Sequence, residues 1–258
     1  MALADRIKKE NREVLRVIRG INRRLNRIEA RTKRKYIEKL TILFIFSKSV
    51  GTYKAMQKLI QNGYDGDAYV LMRSLFENFV NAKYIEQSPY PRAKIFLDFD
   101  WLVRHQLMTT LEKDQASSMT QSTSTKKNTA QEIRGNYRNA IQHRRYHGIK
   151  TKLNWSGKSI KEMADAIQLS KMYKQVYKLS SQYVHGTSSS SRSYFRINKL
   201  GHLSIRQPVP KKMTKSLAAI SSVSNVCMIG LCDLMNDVFV IGMDKELQSG
   251  LKILQGYN

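Results

Sequence analysis

The stretch that decides the fold is LAAISSVSNVCMIGLCDLMNDVFVIGM, at residues 217–243. It is long enough to span a bilayer, but it contains Asn225, Asp233, Asn236 and Asp237. A single aspartate at the centre of a bilayer costs about 2.5–3.5 kcal/mol. A helix buried in a protein core accommodates this composition more easily. We therefore predict a core helix here rather than a membrane span, and a membrane is not the partner that we favour.

Helical patterns fill most of the remaining chain, whose four prolines fall in two tight places where helices should break. We predict helices over about residues 3–35, 36–61, 67–86, 92–113, 130–147, 160–169 and 170–183. Residues 115–129 are rich in Ser, Thr and Gln and are expected to form a surface loop. Residues 194–197 and 203–206 suit a small β-hairpin. The predicted fold is an all-α helical bundle with this hairpin and a long basic N-terminal helix.

Apolar residues recur every three or four positions along the first helix, with Asn11 in one position of this seam. The seam consists of Ile7, Val14, Ile18, Ile21, Leu25 and Ile28. Such a pattern indicates either a coiled coil, through which the protein would form a homo-oligomer, or an amphipathic helix that packs on its own domain. We accordingly divide the chain into a basic helix, residues 1–35, and a helical-bundle domain, residues 36–258.

The composition points to a polyanionic partner. The chain has 45 Lys and Arg against 20 Asp and Glu, a net charge of +25. Such an excess favours nucleic acid, with RNA preferred here, over an anionic membrane surface. The candidate contacts to nucleic acid are arginines of the first and fifth helices: Arg16, Arg19, Arg23, Arg27, Arg134, Arg144 and Arg145.

The two cysteines, Cys227 and Cys232, lie in the apolar stretch without a nearby histidine, so neither a zinc site nor a disulfide framework is indicated. Buried thiols are typical of a reducing compartment, and the charged N-terminus does not have the apolar region of a signal peptide. We therefore expect a cytoplasmic protein. Glycine-rich phosphate loops and metalloprotease motifs are missing from the sequence, so no metal or cofactor is predicted.

Two short stretches carry residues suited to chemistry, LMRSLFE at residues 71–77 and SQYVHG at residues 181–186. Arg73 and Glu77 are four residues apart and therefore share a helix face. They form either a surface ion pair or a site in which the arginine binds a phosphate beside its carboxylate partner. His185 precedes a glycine where a helix should end. There it either satisfies the last carbonyls or acts as a general acid or base.

R-S-L-x-E at residues 73–77, W-S-G-K-S at residues 155–159 and S-x-x-V-H-G at residues 181–186 together resemble an uncharacterised family of helical bacterial and phage proteins. The fold of that family is similar to the HEPN (higher eukaryotes and prokaryotes nucleotide-binding) bundles. The resemblance runs from about residue 36 to residue 206. It singles out Arg73, Glu77, Trp155, Ser181 and His185, and it implies a toxin or phage-defence setting.

HEPN ribonucleases carry an R-x4–6-H motif, and Arg138 with His143 resembles that pattern, as do Arg196 and His202. Arg138 and His143 are the better match, because they lie in a basic helix. The predicted function is RNA binding with metal-independent endoribonuclease activity. The second hypothesis is a non-catalytic nucleic-acid-binding or oligomeric scaffold protein, and the third is attachment to anionic membranes through the N-terminal helix. If Arg73, Glu77 and His185 form one catalytic site, their side chains must converge in space.

Overall fold

The computed structural model describes residues 3–26, 37–115, 124–150, 154–185, 191, 194–205 and 213–255. Its helices are α1 (Leu3–Leu25), α2 (Ile37–Asn62), α3 (Asp65–Glu86), α4 (Pro89–Gln115), α5 (Ser124–Tyr146), α6 (Ile160–Ala166), α7 (Ser170–Met172), a π-helical segment (Tyr173–Tyr177), α8 (Lys178–Val184), α9 (Lys215–Phe239) and α10 (Asp244–Gln255). Strands β1 (Phe195–Ile197) and β2 (Leu203–Ile205) form an antiparallel hairpin. The predicted all-α bundle is confirmed.

Helix α9 is the central helix of the core. It packs against α1, α2, α3 and α10, and both Cys227 and Cys232 are buried in it. Burial raises the pKa of each thiol, because a thiolate is poorly solvated in an apolar core. Within the described part of the chain, α9 is the one helix long and apolar enough to cross a membrane. Since 67% of its most apolar window is buried within the protein, α9 is accounted for as a core helix.

Helix α1 is an amphipathic helix that packs on its own chain. Ile7, Val14, Ile18 and Ile21 are each at most 1% exposed, and α1 packs against α9 and α10. The coiled-coil alternative is therefore wrong for this seam, because the same chain already covers it. The boundary at residues 35/36 lies outside the described residues, and α1 shares one core with the helices that follow. Homo-oligomerisation through another surface stays a prediction.

Asn11 is the centre of a buried hydrogen-bond network that joins α1, α2 and α9. Its Nδ2 donates to Gln57 Oε1 at 2.6 Å, and its Oδ1 accepts from Ser221 Oγ and Asn225 Nδ2, both at 2.9 Å. Tyr53 donates in turn to Asn225 Oδ1 at 2.7 Å. Buried polar groups need such partners to offset their lost hydration. The polar position in the seam is therefore a fixed contact rather than a gap in the packing.

Helices α4 and α5 form an antiparallel pair, and α4 also packs against α2. Pro89 and Pro91 occupy the first turn of α4, where no backbone N–H is needed, and they separate α3 from α4 as predicted. Helix α5 begins at Ser124, so the loop predicted for residues 115–129 is wrong over residues 124–129. A polar segment without apolar periodicity can still be helical, because extending an existing helix is much easier than nucleating one.

Candidate functional site

Side chains from α3 and from the π–α8 segment meet around Arg73, and we call Arg73, Glu77, Tyr177, Ser181 and His185 the Arg73 cluster. Arg73 Nε donates to Glu77 Oε1 at 2.8 Å, and Arg73 Nη2 donates to the Tyr177 hydroxyl at 2.5 Å. Arg73 Nη1 lies 3.3 Å from Ser181 Oγ and 3.5 Å from His185 Nε2. The structure thus brings Arg73, Glu77 and His185 together. Their catalytic role stays a prediction.

The cluster lies at the edge of the core, and its side chains are partly exposed to solvent. The Arg73 side chain is 17% exposed and that of Glu77 is 31% exposed. Burial alone would lower the pKa of Arg73, but the hydrogen bond and charge of Glu77, together with Tyr177, raise it above its usual value. Burial also raises the pKa of Tyr177, so this hydroxyl stays neutral at physiological pH.

The local sequence explains how the π-helical segment and α8 bring three side chains to Arg73. Tyr177, Ser181 and His185 are spaced by four residues and therefore face the same side. Helix α8 ends at Val184, one residue after the predicted end, and its C-cap His185 donates its N–H to Ser181 O at 3.1 Å. Tyr177 was not among the residues predicted for the site, although its spacing from Ser181 and His185 would have identified it. Tyr183 stacks on Tyr69 of α3, with ring centres 4.4 Å apart, and holds the two helices together.

The geometry separates the fixed contacts of Arg73 from its exchangeable ones. The bonds to Glu77 and Tyr177 are short and set the plane of the guanidinium. The contacts of Nη1 are longer, and the His185 side chain is exposed. For Nη1 to donate to Nε2, the imidazole must be neutral with its proton on Nδ1. The pocket expected to face the cluster stays a prediction, since residues 186–190 lie outside the described residues.

Arg144 requires a correction, because it is 1% exposed and does not face solvent. Its Nη1 donates to the carbonyl of Trp155, and its Nη2 donates to the carbonyl of Asn154 at 2.8 Å. Burial lowers the pKa of Arg144, opposed by the charge of Asp98. Arg144 therefore holds the turn at residues 154–159 in place and does not contact nucleic acid from this position.

The second candidate pair, Arg138 and His143, does not form a shared site. His143 Nδ1 lies 2.8 Å from the carboxylate of Asp98, a buried residue of α4. Arg138 is exposed and, five residues earlier on α5, points about 140° away around the helix axis. His202 lies in the turn between β1 and β2, and the Arg196 side chain is outside the described part of the structure.

The other arginines assigned to nucleic acid are exposed where they are described. Arg19, Arg23 and Arg145 face solvent. Arg16 pairs with Glu13 at 2.9 Å and Arg134 pairs with Glu112 at 2.8 Å, so both are partly neutralised. Arg27 lies outside the described residues.

The structure also bears on metal binding. Within the described ranges, no group of three or more His, Cys, Asp or Glu side chains is arranged to hold a metal ion.

No curated protein and no solved structure matches this chain. A sequence model of the family of unknown function DUF5677 matches residues 39–202. This segment contains the whole Arg73 cluster and the turn that Arg144 holds. It leaves out α1, α9 and α10, which complete the core. Because the match covers more than half of the chain, the protein belongs to the family of unknown function DUF5677.

Proposed function

We propose that the protein binds RNA and cleaves it without a metal ion at the Arg73 cluster. The observation that carries this proposal is the contact between Arg73 and the exposed His185, which are 112 residues apart in the chain. A guanidinium beside a neutral imidazole supplies a phosphate-binding group and a proton acceptor at one point.

In the proposed mechanism, neutral His185 takes the proton of a ribose 2′-hydroxyl. The 2′-oxygen attacks the adjacent phosphorus and the P–O5′ bond breaks, which leaves a 2′,3′-cyclic phosphate. The imidazolium returns its proton to the departing 5′-oxygen. Arg73 Nη1 exchanges its long contacts for a non-bridging phosphate oxygen and stabilises the charge that develops there. Glu77 and Tyr177 are positioning residues, since they orient the guanidinium.

The outward face of α1 supports RNA binding. Lys8, Arg12, Arg16, Arg19 and Arg23 are all exposed, opposite the buried seam. By helix geometry they lie within an arc of about 80° and extend over about 22 Å. We call these five residues the α1 basic face. Such a row can neutralise several phosphates of one strand. It also favours the second candidate function, nucleic-acid binding without catalysis.

The biological setting is part of the same proposal. The resemblance to HEPN-type bundles supports ribonuclease chemistry in a cytoplasmic toxin or phage-defence protein.

Cleavage of a labelled single-stranded RNA in the presence of EDTA tests the catalytic proposal. His185→Ala should reduce the rate at least about 100-fold, the usual contribution of a general base. His202→Ala is the matched control, because His202 is also exposed but lies in the β1–β2 turn. It should leave the rate unchanged.

The products supply a second criterion. The 5′ fragment should end in a 2′,3′-cyclic phosphate, and DNA of the same sequence should bind without being cut because it has no 2′-hydroxyl. RNA binding without cleavage by the unaltered protein would exclude the catalytic proposal and leave the non-catalytic alternative.

Binding itself is tested by its dependence on salt. For a single strand, each phosphate contact contributes about 0.7 to the slope of log affinity against log salt. The double variant Arg19→Gln/Arg23→Gln should lower that slope by about 1.4. Lys54→Gln/Lys58→Gln removes the same charge from exposed positions on α2 and should change it little. Equal effects of the two variants would show that the α1 basic face is not the contact surface.

A further inference from the structure

The W-S-G-K-S motif at residues 155–159 has no part in the Arg73 cluster, but it lines a cleft of its own. This Trp155 cleft, of about 210 Å³, lies between the start of α4, the end of α5 and the turn at residues 154–159. Arg92, His147 and Lys158 line it from these three places. No Asp or Glu is found among its described lining residues. The cleft is therefore cationic.

Apolar side chains form the rest of the cleft. Ile95, Ile149 and Trp155 line it together with Pro91, and Ser88 and Ser156 add polar groups. Trp155 is anchored from behind, since its Nε1 donates to Asn81 Oδ1 of α3 at 2.9 Å. Apolar walls with a few converging polar groups are typical of small-molecule sites.

Arg92 is held in place but keeps donors available. Its Nη1 donates to Tyr84 O at 2.5 Å and to Gln87 Oε1 at 3.0 Å, and its guanidinium lies 3.6 Å from the centre of the Tyr84 ring. Nε and Nη2 make no hydrogen bond to any residue in the described part of the chain. Lys158 is exposed, and it makes no ion pair within 4 Å among the described residues. An anion bound to Arg92 would therefore compete with no carboxylate, whereas Lys158 also interacts with the charge of Glu162.

The turn that carries Lys158 is pre-formed. Gly157 has a φ of +75°, a conformation that favours glycine, and its N–H donates to Asn154 Oδ1 at 2.7 Å. Ser156 Oγ donates to Lys158 O at 3.0 Å and accepts from Lys158 N at 3.1 Å. Arg144 holds the carbonyls of Asn154 and Trp155. A pre-formed site loses little conformational entropy on binding.

We infer that the Trp155 cleft binds the phosphate monoester of a nucleotide, free or at the 5′ end of an RNA. The phosphate lies against Arg92, His147 and Lys158, and the sugar and base lie against the apolar wall. This site is separate from the Arg73 cluster and does not depend on RNA cleavage.

Calorimetric titration of the whole protein tests this site with three probes: UMP, uridine and inorganic phosphate. UMP should bind more tightly than phosphate, and uridine should bind at least 10-fold more weakly than UMP. Lys158→Gln should weaken UMP binding at least 5-fold. Lys161→Gln is the matched control, because it removes an exposed lysine of α6 that does not line the cleft.

Two further measurements complete the test. Trp101 and Trp155 are the two tryptophans of the chain, so in the Trp101→Phe variant fluorescence excited at 295 nm reports on the cleft alone and should change on adding UMP. An RNA with a 5′-phosphate that binds more tightly than its 5′-hydroxyl form, with the difference lost in Lys158→Gln, would identify the RNA end as ligand. No heat with UMP at millimolar concentration, or equal weakening by Lys161→Gln, would overturn the inference.

Discussion

The Arg73 cluster and the turn at residues 154–159 are each held together by an arginine that is largely buried, but the partners of the two arginines differ. Arg144 donates to the backbone carbonyls of Asn154 and Trp155 and is 1% exposed. Among the described residues, Arg73 bonds to side chains alone, including the exposed His185, and keeps 17% of its own side chain exposed.

This difference separates a structural arginine from one suited to function. A carbonyl of a fixed turn cannot move away without unfolding the turn, so Arg144 has no donor to offer a ligand. The Ser181 hydroxyl and the His185 imidazole can rotate or be displaced, so Arg73 Nη1 can exchange them for other acceptors, such as the phosphate oxygens of the proposed substrate. Whether a largely buried arginine can bind a ligand therefore depends more on the type of its partners than on how deeply it is buried.

Arg144→Met gives the largest expected effect on stability. It should lower the free energy of unfolding by about 3 kcal/mol, because one buried and one partly buried carbonyl lose a charged donor. Urea denaturation measures this change. Arg145→Met, at the exposed neighbouring position, should stay within about 0.5 kcal/mol of the unaltered protein. Similar losses in both variants would contradict the structural role of Arg144.

Arg73→Met should destabilise the protein less, by about 1–2 kcal/mol, because Glu77 is partly exposed and can be hydrated once it is unpaired. RNA cleavage should be lost at the same time. A loss of stability as large as that of Arg144→Met would indicate that Arg73, like Arg144, has a structural role.

The outline of the bundle could be predicted from the sequence because its signals are local. Prolines mark the start of α4, and Ser159 caps α6 through a capping box with Glu162. The seam of α1 is also visible, but the surface that covers it comes from the far end of the chain, and periodicity does not identify a partner. The helix could therefore be predicted from the sequence, whereas the helices against which it packs could not.

Arg144 is a single residue whose contacts likewise could not be predicted from the surrounding sequence. Arg144 and Arg145 are adjacent and identical, yet one is buried and the other exposed. A local signal did exist, because Ile133, Tyr137, Ala140 and Ile141 form an apolar stripe that reaches Arg144 four residues after Ala140. The carbonyls that Arg144 meets come from a later turn, and no pattern within α5 encodes them.

Tyr177→Phe is expected to have a smaller effect, about 1 kcal/mol, since one hydrogen bond to a charged donor is lost while the ring stays in place. Tyr173→Phe is the control, because Tyr173 stacks on Tyr177 with ring centres 4.7 Å apart and should depend on its ring alone. If Tyr177 positions Arg73, cleavage should slow with Phe at residue 177 and not with Phe at residue 173.

Glu77→Gln should slow cleavage, because Glu77 orients Arg73, but its effect on RNA affinity should be the smallest effect predicted here. Removing this charge beside Arg73 should raise RNA affinity about 2-fold at low salt, the size expected for one partly exposed charge. Glu86→Gln is matched in helix and exposure, since Glu86 pairs with Lys83 at 2.7 Å and is 34% exposed. An equal gain in both variants would mean that general charge, and not the Arg73 cluster, governs affinity.

The buried network around Asn11 also determines the register of α1. Apolar seams repeat at each helical turn, so α1 could in principle dock shifted by one turn, about 5.4 Å along its axis. Such a slip would separate Asn11 from Gln57 and Asn225 and bury it beside apolar side chains, which is why polar seam residues select a single alignment. The α1 basic face is consequently held at one fixed position relative to the rest of the bundle.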